Sequence, residues 1–158
     1  MQRTTPSLWF DRQAEEAANF YISVFGNSRI KAITRYGEGA PLPKGTVLTV
    51  SFVLDGQDYV AINGGPHFSF TPAISFVINC ASQQEVDHFW DRLGVAGGTP
   101  GQCGWLQDQY GVSWQVVPTV LPQLLDAADP ARAQRVMTAL MAMKKLDIAA
   151  LQRAHANP

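Results

Sequence analysis

The chain has 158 residues, with 12 Lys+Arg against 13 Asp+Glu and a formal net charge of −1. That length fits one domain or two small packed halves, and a near-neutral balance whose longest basic run is Lys144-Lys145 excludes a mainly electrostatic nucleic-acid binder. Apolar residues make up 46% of the chain, which suits a globular protein, and no apolar stretch approaches the roughly 20 residues that span a bilayer. The opening Met1-Gln2-Arg3-Thr4-Thr5-Pro6 lacks the apolar stretch of a signal peptide, so the cytoplasm is the expected compartment.

In chain order, Ser7-Leu8-Trp9-Phe10 predicts a short strand. Asp11 follows as the expected N-cap of a helix through Glu15, Glu16, Phe20 and Tyr21 that ends near Phe25-Gly26. Arg29 to Tyr36 predicts a second strand. Val47 to Leu54 and Tyr59 to Asn63 flank Asp55-Gly56-Gln57-Asp58, a hairpin signal. The pattern then recurs. Ala73 to Asn79 predicts a strand, Ser82 an N-cap, and Glu85 to Leu93 a helix closed by Gly94. A short Gly-rich partner strand falls within Val95 to Gln102. Cys103 to Gln107 and Val112 to Val117 flank the turn Asp108-Gln109-Tyr110-Gly111, where Asp108 is expected to organise the hairpin. The helices share a spacing, Glu16/Phe20/Tyr21 against Glu85/Phe89/Trp90, so the reading is β-α-β-β-β, twice.

After Val117-Pro118 the pattern turns helical. Thr119 to Asp126 is short, Asp129-Pro130 is an N-cap with proline at the first helical position, and Val136, Met137, Leu140 and Met141 form a packing stripe. Ile148 and Leu151 begin another. The predicted organisation is one domain over 1–118, with modules at about 4–66 and 72–118, and a helical extension over 119–158.

Cys80 and Cys103 are too few for a disulfide scaffold and have no CxxC spacing. Cys80 lies in an apolar run and reads as a small packed hydrophobe, whereas Cys103, between Gln102 and Gly104, presents a partly exposed thiol.

Period-two alternation sorts each strand into two faces. Leu48, Val50, Phe52 and Leu54 oppose Val47, Thr49, Ser51 and Val53; Val60 and Ile62 oppose Tyr59, Ala61 and Asn63. Ile74, Phe76 and Ile78 oppose Ser75, Val77 and Asn79, and Val112, Trp114 and Val116 oppose Ser113, Gln115 and Val117. The first-named sets are expected beneath the helices. The mixed sets are either solvated or line a cleft, and eight strands from two halves closing into a cup would favour the cleft.

These residues resemble the glyoxalase/bleomycin-resistance/extradiol-dioxygenase group, the vicinal oxygen chelate superfamily. Within it they are similar to the PhnB-like branch, often labelled "3-demethylubiquinone-9 3-methyltransferase" domain proteins. The matching stretches are Leu8-Trp9-Phe10-Asp11 with Glu15-Glu16-Ala17, Leu54-Asp55-Gly56-Gln57, and Asn63-Gly64-Gly65-Pro66-His67-Phe68. Further on they are Ala73-Ile74-Ser75-Phe76, Gln102-Cys103-Gly104-Trp105-Leu106, and Trp114-Gln115-Val116-Val117-Pro118. The resemblance covers about residues 4–152. It implies an α+β fold of paired βαβββ modules, the glyoxalase/bleomycin resistance/dioxygenase-like fold, and homodimers.

Metal-dependent members of the superfamily place His, Glu or Gln on strands one, four, five and eight, facing the cup. The corresponding positions here read as Thr5 or Ser7, Ala61 or Asn63, Ser75, and Gln115. Only Gln115 is an ordinary ligand type, and one neutral amide cannot hold a divalent cation against water. No metal is therefore expected. The methyltransferase label implies S-adenosylmethionine, yet Gly64-Gly65 and Gly97-Gly98 follow no βα unit of the common cofactor-binding kind, and Gly64-Gly65-Pro66 reads as a turn. No cofactor is expected, with a divalent metal or S-adenosylmethionine as the alternatives.

The expected function is binding or transformation of a small molecule in the cup without the usual metal. Trp9 and Trp105 are aromatic walls or ordinary packing, and Asn63, Ser75 and Gln115 supply directional hydrogen bonds. Candidate catalytic groups are Gln115 and His67, the latter the one near-neutral acid–base group of the set or else a loop cap. The alternatives are a metal-dependent lyase or dioxygenase, the methyltransferase of the label, and an interaction module using the Met-containing stripe. The expected partners are a small-molecule ligand and a second copy of the chain, with no nucleic acid and no membrane.

Overall fold

A computed structural model describes residues 2–95 and 97–157. Ala96, inside the predicted Gly-rich strand, and Pro158, at the end of the predicted extension, lie outside the described residues. The chain divides into two compact units, 1–70 and 71–158.

The first unit runs β1 (Ser7–Phe10), α1 (Ala14–Val24), β2 (Arg29–Arg35), β3 (Val47–Leu54) and β4 (Gln57–Asn63). Its sheet has the order β1-β4-β3-β2, parallel between β1 and β4 and antiparallel elsewhere. The β3–β4 hairpin closes through Asp55 and Gly56, both with positive φ (47° and 81°). That is the two-residue turn whose twist matches the strands, and Gly at its second position relieves the strain. On α1, Ala14, Ala17, Ala18, Tyr21 and Val24 are buried at helical spacing. Three alanines let the helix lie close on β3 and β4, over the buried Val50, Phe52 and Ala61.

Two expectations fail here. Asp11 does not cap α1: the N-cap is Gln13, without a side-chain bond, and the Ala14 N–H donates instead to Asn63 Oδ1 at 2.9 Å. The cap comes from β4, 49 residues along the chain, which no local pattern reveals. The face assignment of β4 is also reversed. Register sets Tyr59 opposite Phe52 and Ala61 opposite Val50, so Tyr59, Ala61 and Asn63 turn to the helix and Val60 and Ile62 to the other face.

The second unit repeats the order with β5 (Phe76–Cys80), α2 (Gln83–Leu93), β6 (Thr99–Pro100), β7 (Trp105–Gln107) and β8 (Ser113–Pro118), in a sheet β5-β8-β7-β6. The paired βαβββ fold is therefore present as expected. Here the face assignment holds for Ile78, Trp114 and Val116, which are buried, and fails for Ile74, which is 66% exposed ahead of the strand. Ser82 caps α2, accepting from Glu85 N while Glu85 Oε2 accepts from Ala81 N, a reciprocal arrangement in the manner of a capping box. The predicted strand from Ala73 begins only at Phe76, after a turn at Pro72-Ala73.

The remaining helices, α3 (Leu121–Leu124), α4 (Pro130–Met141) and α5 (Ile148–Ala156), belong to this second unit. Asp129 caps α4 as expected, accepting from Arg132 N. Leu121, Leu124, Val136, Leu140, Leu146 and Leu151 form their core, with Cys103 and Val117 packed against it. A fully buried Leu or Val contributes about 1.5–3 kcal/mol. The stripe is narrower than expected, since Met137 and Met141 are 39% and 64% exposed. Polar bonds fasten the tail: Cys103 N and Gly104 N donate to the carbonyls of Met143 and Lys144, and the Gln83 amide bridges Leu146 O and Ile148 N.

Lys145 meets Asp87 at 3.1 Å and Asp91 at 3.3 Å. The Gln83 amide, then Lys145, hold the Asp87 carboxyl below its usual range. Burial works against the Lys145 ammonium, but the two carboxylates outweigh it and raise its pKa. The Asp87 contribution is present above its unfolded pKa and lost as pH falls through the lower folded one. With both side chains more than a third exposed it is small.

Candidate functional site

The polar face of the second sheet assembles the candidate site. On β8, Ser113 and Gln115 share that face, and alternation turns Trp114 and Val116 to the buried side. β7 lies antiparallel alongside, placing Trp105 opposite Gln115 and Gln107 opposite Ser113. Gln115 Nε2 donates to Ser75 Oγ at 2.9 Å. Ser75, Trp105 and Gln115, all singled out from the sequence, thus come onto one surface.

Beside Trp105 lies a cavity of about 180 Å³, walled by Pro72, Thr99, Trp105, Leu106, Gln107 and Ser113. Ser113 is 2% exposed, and its Oγ has no hydrogen-bond partner among the described residues. The sequence marks Ser113 only as part of the mixed face of its strand and gives Thr99 and Gln107 no role. The signal was present in part, because Gln107 and Ser113 stand two residues from Trp105 and Gln115 and so share their face. That the Ser113 hydroxyl is buried and unpartnered has no sequence signature.

A buried carboxylate underlies this surface. Asp108 Oδ1 accepts from Tyr110 N at 2.8 Å and Val112 N at 3.1 Å, and Oδ2 from Trp114 Nε1 at 2.8 Å. It closes the turn joining β7 to β8, as its position in the sequence suggests.

The other candidates belong to the first unit. Trp9 lies on the face of Ile62 and is committed to its own unit: Nε1 donates to Gly65 O at 2.9 Å, the ring covers Gly64, and Phe68 meets it edge-on at 5.0 Å. Asn63 does not line the polar face. It is 2% exposed, with Oδ1 capping α1 and Nδ2 donating to Val47 O. Its amide is buried and holds the start of α1 against β3 and β4. His67 is exposed in the turn after β4, with no hydrogen-bond partner among the described residues.

The donors do not suit the divalent metal of the superfamily. On β4 the residues opposite the helix are Val60 and Ile62, not Ala61 or Asn63. Ser75 and Gln115 bond each other. Among the described residues no three of His, Cys, Asp and Glu come together. Nor do the glycines suit S-adenosylmethionine in the common way. The space above Gly64 is filled by the Trp9 ring, and the turns from β1 to α1 and from β5 to α2 contain no glycine.

Of the thiols, Cys80 is fully buried, and burial, then Glu85, push its pKa up to about 11. Cys103 is half-buried. Iodoacetamide at about pH 8 is expected to label Cys103 first in the native protein, and both thiols only after urea, because the thiolate is the nucleophile. Native labelling of Cys80 at a comparable rate, read by peptide mass spectrometry, would contradict the packing.

Residues 2–117 match the family described as 3-demethylubiquinone-9 3-methyltransferase. Among solved structures, the PhnB protein from Bacillus cereus is 38% identical, with a TM-score of 0.69, covering 75% of this chain and 100% of that one. Protein PA1353 from Pseudomonas aeruginosa is 20% identical, with a TM-score of 0.61, covering 75% and 98%, a likeness of fold. No protein of curated function matches the chain.

Proposed function

Because the chain belongs to the 3-demethylubiquinone-9 3-methyltransferase family, a PhnB-like member of the glyoxalase/bleomycin resistance/dioxygenase superfamily, we propose that it binds or transforms a small uncharged molecule on the polar face of its second sheet, without a divalent metal. The observation that carries this reading is the meeting of Ser75, Trp105 and Gln115 beside a cavity whose walls have no ionisable side chain. Gln115 has the role of orienting the ligand: its carbonyl oxygen can accept while its amide is held by Ser75. Trp105 offers the apolar wall. The same reading takes the protein as a homodimer, which light scattering measures.

A small-molecule screen followed by calorimetry tests it. Gln115→Ala is expected to weaken binding of a hit about three- to tenfold, the worth of one hydrogen bond, and EDTA to leave it unchanged. His67→Ala, in a turn of the first unit, reports whether that imidazole takes part. Loss of binding in EDTA with recovery on adding Zn, Mn, Ni or Fe would overturn the metal-free reading in favour of a lyase or dioxygenase. A saturable heat with S-adenosylmethionine would restore the methyltransferase.

A further inference from the structure

The extension over 119–158 lies beyond residues 2–117, the stretch that matches the family. Its helices bury a core of their own, but residues 142–147, between α4 and α5, form neither helix nor strand. What holds them is polar and comes from two sides. Met143 O and Lys144 O accept from the N–H groups of Cys103 and Gly104, each at 2.8 Å. From the other side α2 takes hold: the Gln83 amide donates to Leu146 O at 3.0 Å and accepts from Ile148 N at 2.9 Å, and Asp87 and Asp91 meet Lys145. Residues 143–148 thus run as a strap between α2 and the turn 102–105.

That turn is one that needs holding. Trp105 N donates to Gln102 O at 3.0 Å, and the two central residues, Cys103 and Gly104, have φ of 57° and 83°, both positive as in a type I′ turn. Gly adopts such a backbone freely, whereas Cys does so at a cost and keeps it only where its surroundings fix it. Position 104 is also tight: a Cβ there would lie 2.8 Å from Val116 O and 3.1 Å from Cδ1 of the fully buried Leu146. The next residue is Trp105, which opens β7, a strand of three residues whose partner β6 has two. The place of Trp105 is therefore set by β8 on one side, where it stands opposite Gln115, and by the turn just before it.

We propose that the strap positions Trp105: by pinning the amides of Cys103 and Gly104 it fixes the aromatic wall of the candidate binding face. Gln83 and Leu146 are then positioning residues that act on the face through the strap. The functional meaning of this rests on the reading that Trp105 and Gln115 line the binding face, and it adds that the C-terminal extension tunes that face.

The experiment labels the full chain with fluorotryptophan, which gives a fluorine resonance for each of Trp9, Trp90, Trp105 and Trp114. The Trp105 and Trp9 lines are assigned with Trp105→Phe and Trp9→Phe. Gln83→Ala removes the two bonds from α2 to the strap, and Leu146→Ala removes the side chain that covers Gly104. In both variants the Trp105 line is expected to shift or broaden while that of Trp9, in the first unit, stays in place. The amides of Cys103 and Gly104 are expected to exchange with deuterium about tenfold faster, well beyond any rise at Ile78 on β5. Should Leu146→Ala fail to fold, Gln83→Ala decides alone, since Gln83 lies in the first turn of α2 and outside the tail core. A Trp105 line unmoved in Gln83→Ala, or exchange that rises equally at Cys103, Gly104 and Ile78, would overturn the inference and leave the extension as a cover for the core. The two readings fail separately. Trp105 moved by Gln83→Ala, with no screen hit dependent on Gln115, retains the strap and rejects the binding face. Hits dependent on Gln115, with Trp105 indifferent to Gln83→Ala, retain the face and reject the strap.

Discussion

Asp108→Ala is expected to lower stability by about 4 kcal/mol, read as a fall in the urea midpoint. The carboxylate is 3% exposed and receives the N–H groups of Tyr110 and Val112 and the indole N–H of Trp114. Removing it leaves buried donors without a partner, each costing about 1–3 kcal/mol. Asp108→Asn should cost roughly half as much, since one acceptor oxygen remains. The functional consequence follows from position. The turn Asp108–Gly111 joins β7 to β8, and those strands carry Trp105, Gln107, Ser113 and Gln115. Asp108→Asn is therefore expected to weaken ligand binding as well, through loss of register between Gln107 and Ser113. A urea midpoint within error of wild type for Asp108→Ala would show that the turn holds without the carboxylate.

Gly64→Ala is expected to cost about 3 kcal/mol, at the upper end of what overpacking usually does. Gly64 has no unusual φ; its need is for space. A Cβ there would lie 2.1–2.5 Å from three atoms of the Trp9 ring, far inside van der Waals contact. Relief requires Trp9 to move, which breaks its bond to Gly65 O and its edge contact with Phe68. The expected signature is coupling. In a Trp9→Leu background the same substitution should cost less than about 1 kcal/mol, because the ring that clashes is gone. Additive costs in the double mutant would show that Gly64 is constrained by something other than Trp9.

Several features were legible in the residues because their causes are local. Asp55-Gly56 makes a hairpin turn since Gly tolerates positive φ there. Ser82 with Glu85 three residues on, and Asp129 with Pro130, mark helix starts through bonds made within a few residues. Asp108 was legible as a turn residue for the same reason. Other features rest on residues far apart in the chain. The cap of α1 comes from Asn63, so Asp11, although a good capping residue, was the wrong choice. Nothing near Ser113 distinguishes it from Ser75, yet one hydroxyl is bonded and the other is not.

The order of elements, strand, helix and three strands repeated, could be read from one dimension because turn chemistry and hydrophobic period act over a few residues. The walls beside Trp105 carry no ionisable side chain, which net charge, a sum over the whole chain, does not determine. Which face of β4 turns inward is not given by alternation alone. Val60 and Ile62 are as apolar as Tyr59 and Ala61, so alternation defines two faces without ranking them. The choice is made by pairing: once the Asp55-Gly56 turn sets Phe52 opposite Tyr59, Asn63 must follow Ala61 under the helix. There its amide caps α1 and donates to Val47 O. The turn that sets this register is local, whereas the use of Asn63 to cap a helix 49 residues earlier in the chain is a tertiary fact.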